Sequence, residues 1–380
     1  MDHAATTPVR PEAIEAMLPH FAQNGYNASS VHAEGRAARA ALDDARDRAA
    51  RCLGVKSKEV IFTGGGSEAD NLALIGTARA LRARGRHIVS TVAEHHAVLH
   101  SLEALHDEGW DVTLLGVDTN GRIAPEAFAQ ALRGDTVLAS VMYVNNEIGV
   151  VQPVSQLARL ARERGVLFHT DAVQAAAYLP VDAAVLGADL VALAAHKFYG
   201  PKGVGMLYVR DGTPIQPIVH GGSQEFAKRA GTENVAGVVG LVTALELAMD
   251  ERTEAAARIA TLRDRFEQRV LRSISDVRVN GGEAMRAPHI SNLSFLHVTS
   301  EQLLMRLDID GIAVSAGSAC ASGAVEPSHV IAALGLPEPW MRGVIRFSLG
   351  RTTTQAQIDR AAEVLERAVA DLRSFSPAQA

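Results

Sequence analysis

Short β-branched runs separated by helical patterns set the rhythm of the first two-thirds of the chain. Apolar and alanine positions recur at helical spacing over 31–53 and stop at Gly54, a strong helix terminator. Strand-like runs follow at 60–62, 87–91, 112–115, 137–142, 166–169 and 189–193. Helical patterns at 67–84, 97–108, 125–132 and 154–164 lie between most of them. This alternation predicts an α/β domain, a mostly parallel sheet covered on both faces by helices. Beyond about residue 250 the pattern changes to a long polar-faced helix over 251–274, sparser strands at 289–295 and 344–348, and an amphipathic helix over 354–374. That part reads as a second, smaller α+β domain.

With 380 residues, the chain has length for one large core plus a smaller one. It is 47% hydrophobic and 21% charged, as in ordinary soluble globular proteins. A formal charge of -6 gives no broad basic field, which argues against nucleic acid as a direct ligand. The longest apolar-looking stretch, 172–195, is interrupted by Pro180, Asp182, Gly187 and Asp189, so no segment offers the ~20 apolar residues of a membrane helix. The opening residues lack the apolar run of a signal peptide, and the cytoplasm is the expected compartment. Two cysteines, Cys52 and Cys320, make neither a disulfide framework nor a zinc site by themselves.

Five clusters carry candidate chemistry, and most fall just past strands, where ligands sit in sheets of this kind. Thr63-Gly64-Gly65-Gly66-Ser67-Glu68 joins a strand to a helix; its glycines let amides turn toward a phosphate, though a plain glycine turn fits as well. Ala194-Ala195-His196-Lys197 places a lysine at a strand end, suited to a Schiff base with an aldehyde cofactor; Lys202 competes for that role, and an exposed charge is the simpler reading. His169-Thr170-Asp171 offers a carboxylate that either caps the next helix or meets a cation such as a protonated pyridine nitrogen. Glu94-His95-His96 lacks the spacing of a metal site, and none is expected. Cys320 lies among small residues, Ser315-Ala316-Gly317-Ser318-Ala319-Cys320-Ala321-Ser322-Gly323, a mobile-loop composition that presents a thiol, whereas Cys52 beside Leu53 reads as structural.

Together these stretches resemble the cysteine desulfurases of the NifS/IscS kind, class V of the aminotransferase superfamily that works through pyridoxal 5'-phosphate (PLP). The matching segments run from Asp2-His3-Ala4-Ala5-Thr6-Thr7-Pro8 to Ile345-Arg346-Phe347-Ser348-Leu349-Gly350-Arg351, and include Tyr143-Val144-Asn145-Asn146-Glu147 and Arg229-Ala230-Gly231-Thr232-Glu233-Asn234. The resemblance implies a fold type I PLP-dependent transferase. Its large PLP-binding domain would span 16–250, its small domain with the cysteine loop 251–380, and an N-terminal segment, 1–15, would pack with the small domain.

The same resemblance implies the site. Lys197 would hold PLP, Asp171 would pair with the ring nitrogen, Gln174 would bond the ring hydroxyl, and His95 rather than His96 would lie on the ring and move protons. Gly66, Ser67 and His196 would hold the phosphate, with Thr232 reaching the phosphate of the other subunit of a homodimer. Asn27, Asn146 and Arg346 would bind substrate, the planar guanidinium clamping its carboxylate. Cys320 would take sulfur from L-cysteine as a persulfide, leaving L-alanine, and pass it to an iron–sulfur scaffold or a tRNA-thiolation carrier.

Departures from the usual family pattern fall around the phosphate and a neighbouring loop. Ala194 stands where serine is usual and Ser67 where threonine is, Tyr26-Asn27-Ala28-Ser29-Ser30 replaces Gly-Asn-Pro-Ser-Ser, and Phe226 replaces a common arginine. Two rivals stand beside the desulfurase: a related PLP enzyme such as a selenocysteine lyase or small-amino-acid aminotransferase, and an inactive scaffold for sulfur-transfer partners.

Overall fold

A computed structural model describes residues 1–22, 25–317 and 327–375. Strands β1 (Val60–Thr63), β2 (His87–Thr91), β3 (Asp111–Leu115), β4 (Thr136–Ser140), β5 (Leu167–Asp171), β6 (Leu190–Ala194) and β7 (Gly205–Val209) form one sheet in the order β1-β7-β6-β5-β4-β2-β3. Strand β7 is antiparallel to both neighbours and every other adjacent pair is parallel. The α/β sheet expected from the alternation of elements is therefore present. Sequence reading misses β7, because its five residues return within a hairpin directly after the lysine turn and no helix announces them.

Interior strands are buried on both faces, which explains their unbroken apolar runs. Only the edge strand β3 exposes part of itself. The chain leaves β2 for β3 on one side and returns to β4 on the other. The carboxyl ends of β2, β4, β5 and β6 consequently open onto one crevice, the position where α/β sheets bind ligands.

Helix Ala33–Leu53 ends as its sequence dictates, with Gly54 left-handed at φ 67° and its N–H bonded to the carbonyls of Ala50 and Arg51. Helix Val235–Ser273 runs for 39 residues and starts well before the expected residue 251. Its first three turns, Val235 through Leu245, are almost wholly buried, so no polar face marks them as helical. Its second half presents Ile259, Leu262, Phe266 and Val270 to the interior, and it packs on helix Gln355–Phe375.

A separate antiparallel sheet, β8 (Val277–Val279), β9 (Ile290–Phe295) and β10 (Val344–Ser348), has the order β10-β9-β8. Helix Ser300–Ile309 packs against β10 and against helix Gln355–Phe375. Residues 1–10 tie the two sheets together. Asp2 bridges Ser348 at the free edge of β10, the Ala4 N–H donates to Ser348 Oγ at 2.9 Å, and Thr7 and Arg10 donate their N–H groups to the carbonyls of His196 and Tyr199. Among the described residues no helix is long and apolar enough to cross a membrane.

Candidate active site

Strand β6 runs into a tight turn, Ala195–Lys197, that lifts the lysine out of the sheet into the crevice. Lys197 Nζ donates to the carbonyl oxygens of Ala4 and Ala5, both at 2.7 Å, so the N-terminal segment forms one wall around it. Lys202, the competing lysine, is exposed. Asp171 ends β5 and is buried; its Oδ1 accepts the N–H of Val173 at 2.9 Å, the capping contact its position suggests. Burial pushes its carboxyl up to about 6, against the pull of the Val173 N–H and the Lys197 charge.

His95 caps helix His96–Asp107, with Nδ1 accepting the Ala97 N–H at 3.1 Å. That bond leaves the proton on Nε2, and burial followed by the positive charge of Lys197 holds the imidazole down to about 4. One polar atom from each of Asp70, His95 and Asp171 lies within 4.8 Å of the others, so the ring and the two carboxyls meet at one point. His96 turns elsewhere, stacked on His100 and tilted against His329 at a centroid distance of 4.7 Å. Gln174 donates from Nε2 to the Ala4 carbonyl at 2.9 Å, and its Oε1 lies 3.3 Å from His289 Nε2.

The glycine turn is shaped by close approach. A Cβ added to Gly66 would stand 2.9 Å from Val173 Cγ2 and 3.3 Å from the Ala194 methyl. A Cβ on Gly205 would fall 2.7 Å from the Gly65 backbone, so the turn lies flat on the start of β7. Gly65 precedes the helix Gly66–Asn71 without any side-chain cap, and Ser67 is exposed at the helix opening. His196 sits beside this opening strand end with Nδ1 3.1 Å from Thr6 Oγ1; burial, then Lys197 and Lys202, lowers it to about 4.

Arg346 lies in the middle of β10 and is 1% exposed. It donates to the Asn146 carbonyl at 2.7 Å and to Asp2 Oδ1 at 3.0 Å. Asn146 itself is fixed by its neighbour: Asn145 accepts the N–H groups of Glu147 and Ile148 on Oδ1 and donates to the Ala93 carbonyl. Asn27 and Thr232 are exposed, and the Asn27 side chain closes a local turn by accepting the Ser29 N–H at 2.8 Å; among the described residues no side-chain hydrogen bond joins either to the crevice.

Cys320 lies outside the described residues. The chain on either side of 318–326 is fastened at the rim of the crevice. Ser315 exchanges backbone hydrogen bonds with Arg346, and Ser328 Oγ donates to Glu147 Oε2 at 2.5 Å. His329 Nε2 sits 2.8 Å from the Glu94 carbonyl. Cys52 is half-buried at its helix end, and burial pushes its thiol up to about 11.

Two buried polar residues of this region, Asp70 and His289, escape a sequence reading, and two more, Glu94 and His169, enter it only as neighbours of His95 and Asp171. Glu94 accepts both the Met142 N–H and the Thr91 hydroxyl, joining the ends of β2 and β4, and burial raises it to about 8. His169 had a usable signal, since it stands two residues before Asp171 and therefore shares its face of β5.

The class-V aminotransferase model matches residues 1–361. The chain belongs to the class-V aminotransferase family. Its relatives include "Cysteine desulfurase IscS" of Dictyoglomus turgidum, 48% identical over 99% of this chain and 96% of that protein, and the protein of the same name from Methanosarcina thermophila, 45% identical over 99% and 93%. Among solved structures, a "NIFS-like protein" superposes with a TM-score of 0.92 at 33% identity, covering 97% of this chain and 98% of that one. "SspA in complex with cysteine" gives 0.81 at 34% identity, covering 92% and 97%.

Class-V aminotransferases are PLP-dependent, and the residues in the crevice fit that cofactor. Asp171 is a buried carboxylate whose ionised form is costly in place, a cost that a cationic ring nitrogen reverses. The flat glycine turn and uncapped helix start present backbone N–H groups suited to a phosphate. Ala194 supplies a methyl, not a hydroxyl, on that side.

Proposed function

We propose that this class-V aminotransferase is a PLP-dependent cysteine desulfurase, converting L-cysteine to L-alanine and taking the sulfur onto Cys320. One observation carries the reading. Lys197, Asp171 and His95 converge at the ends of β6, β5 and β2, and both ends of the segment containing Cys320 are fastened to the same rim. Two residues stand between Gly317 and Cys320, and three chain steps span at most ~11 Å.

PLP bound here supplies an electron sink that makes the α-proton of an amino acid acidic. Lys197 holds its aldehyde end, Asp171 keeps a negative charge against its ring nitrogen, Gln174 bonds its hydroxyl, and Gly66, Ser67 and His196 receive its phosphate. Neutral His95 exchanges a proton through Nε2 beside the ring. Arg346, already fixed by Asn146 and Asp2, receives the substrate carboxylate, with Asn146 and Asn27 completing the substrate pocket. The Cys320 thiolate attacks the substrate sulfur. The carbon–sulfur bond breaks, its electron pair stays with carbon, which gains a proton to become alanine, and the sulfur remains as a persulfide.

The finer organisation is part of the same proposal. The larger sheet belongs to a PLP-binding domain over 16–250, the smaller to a domain over 251–380, and 1–15 packs with the latter while also bonding to the former at His196, Lys197 and Tyr199. Thr232 serves the phosphate of a second copy in a homodimer, which its exposed position supports. The persulfide goes to an iron–sulfur scaffold or a tRNA-thiolation carrier, in the cytoplasm, where a free nucleophilic thiol survives. The test is incubation with L-cysteine, followed by measurement of alanine and protein-bound persulfide. Wild type produces both; Cys320→Ala keeps the yellow cofactor and forms no persulfide, and Lys197→Ala loses the colour. Persulfide on another residue, or full turnover by Cys320→Ala, refutes the assignment.

A further inference from the structure

Behind Asp171 lies a pair of polar groups that the proposed chemistry leaves unused. Asp70, in the helix that follows the glycine turn, is 1% exposed, and His169, on the Asp171 face of β5, is fully buried. Asp70 Oδ1 and His169 Nε2 stand 3.5 Å apart, and neither atom has a hydrogen-bond partner among the described residues. His169 Nδ1 is 2.9 Å from Ser140 Oγ, at the end of β4. Two lone pairs facing each other in a dry interior repel, so a proton must lie between them.

Which atom owns the proton follows from the surroundings. The acidic groups bearing on Asp70 are Asp171 on β5 and Glu94 beyond β2, and its facing bases are His169 and His95. Burial first, then these two carboxylates, raises Asp70 well above the usual carboxylate range. Burial holds His169 down to about 3, so it stays a neutral imidazole.

We infer that Asp70 is a positioning residue: as an un-ionised acid it donates to His169 Nε2, leaving Asp171 the single anion that faces the cofactor ring nitrogen. The inference rests on the PLP reading of Asp171. His169 in turn donates from Nδ1 to Ser140, and the three groups form a neutral relay across β5 and β4. Without the acid, the imidazole is released to turn a proton toward Asp171 two residues away. A hydrogen bond from that side makes Asp171 a weaker partner for the ring proton.

Two measurements test this. The infrared spectrum of the protein at neutral pH should contain the carbonyl stretches of two un-ionised carboxylic acids, one lost in Glu94→Gln and the other lost in Asp70→Asn but retained in both Asp171→Asn and Glu94→Gln. For the holoenzyme reconstituted with PLP isotope-labelled at the ring nitrogen, the nitrogen resonance followed against pH reports the ring proton directly. Asp70→Asn, whose amide makes the same bond to Nε2, should keep the ring-proton affinity within about twofold, and Asp70→Ala should lower it about fivefold or more, the scale of one buried unpaired acceptor. An ionised Asp70 predicts otherwise: no acid band assignable to Asp70, and an equal drop in both variants, because each removes a negative charge. Either result overturns the inference. A wild-type protein that binds no PLP sinks the cofactor reading and the action on the ring, while the infrared band still decides where the Asp70 proton lies.

Discussion

Replacing Glu225 by glutamine should destabilise the fold by about 3 kcal/mol or more, the cost of stranding one member of a buried ion pair. Arg46 and Glu225 are both buried and meet through two bonds of 2.7 Å. Glu225 also accepts the Phe62 N–H at 2.9 Å, and Arg46 donates to the Val60 carbonyl at 2.6 Å, so the pair clips the loop of residues 220–231 onto strand β1. The guanidinium lies over the rings of both Phe62 and Phe226, 4.7 and 5.1 Å from their centroids. The loop needs this clip because Glu225, Phe226 and Ala227 are all left-handed, with φ of 46°, 56° and 60°. Such a conformation costs roughly 1–2 kcal/mol per non-glycine residue, or about 3–6 kcal/mol for the three. Losing the charge leaves Arg46 buried without its anion and lets that strained turn relax, carrying Thr232 with it. Urea unfolding of the wild type, Glu225→Gln, Arg46→Met and the double Arg46→Met/Glu225→Met variant measures the effect. The double variant should recover much of the loss, since an apolar pair leaves no stranded charge. A loss under about 1 kcal/mol in Glu225→Gln, the range of exposed pairs, would show that the clip does not hold the loop.

Other consequences are equally open to measurement. Gly66→Ala places a Cβ 2.9 Å from Val173 and should weaken PLP binding about tenfold, read by absorbance titration, through overpacking of about 1–3 kcal/mol. Because burial raises Glu94 from 4.5 to about 8, the folded state holds its proton longer than the unfolded chain does. Stability of the cofactor-free protein should therefore be fully supported by this group below about pH 4.5 and decline as pH rises to about 8. Glu94→Gln should flatten that decline in urea midpoints taken across the range. Arg346→Lys removes a fork that already grips Asn146 and Asp2, and should raise the KM for cysteine at least about tenfold while leaving the cofactor spectrum in place.

Much of the large sheet was legible because parallel interior strands must be apolar on both faces. The run at 87–91 coincides with β2, and Gly54 marks the end of its helix. What was not legible lacked a contrast to read. The first three turns of helix Val235–Ser273 are almost wholly buried and apolar, and β7 is a five-residue return with no helix before it. At the site, types and spacing identified Lys197, Asp171 and His95 as candidates but left Lys202 in competition, which exposure now separates from Lys197. Asp70 gave no signal, because an acid in a helix ordinarily faces water, and Glu94 was met only as the neighbour of His95. Only the tertiary fold shows that these two face each other's neighbours in a dry interior.

The interlocking of residues 1–10 has a consequence for how the protein matures. Their partners, at 196–199 and 346–348, emerge from the ribosome long after them, so the wall that carries the Ala4 and Ala5 carbonyls waits until β10 has been made. Contacts spanning such separations form late and slowly. Nascent chains arrested before β10 should accordingly fail to retain cofactor, and loading becomes a report that synthesis has passed that strand.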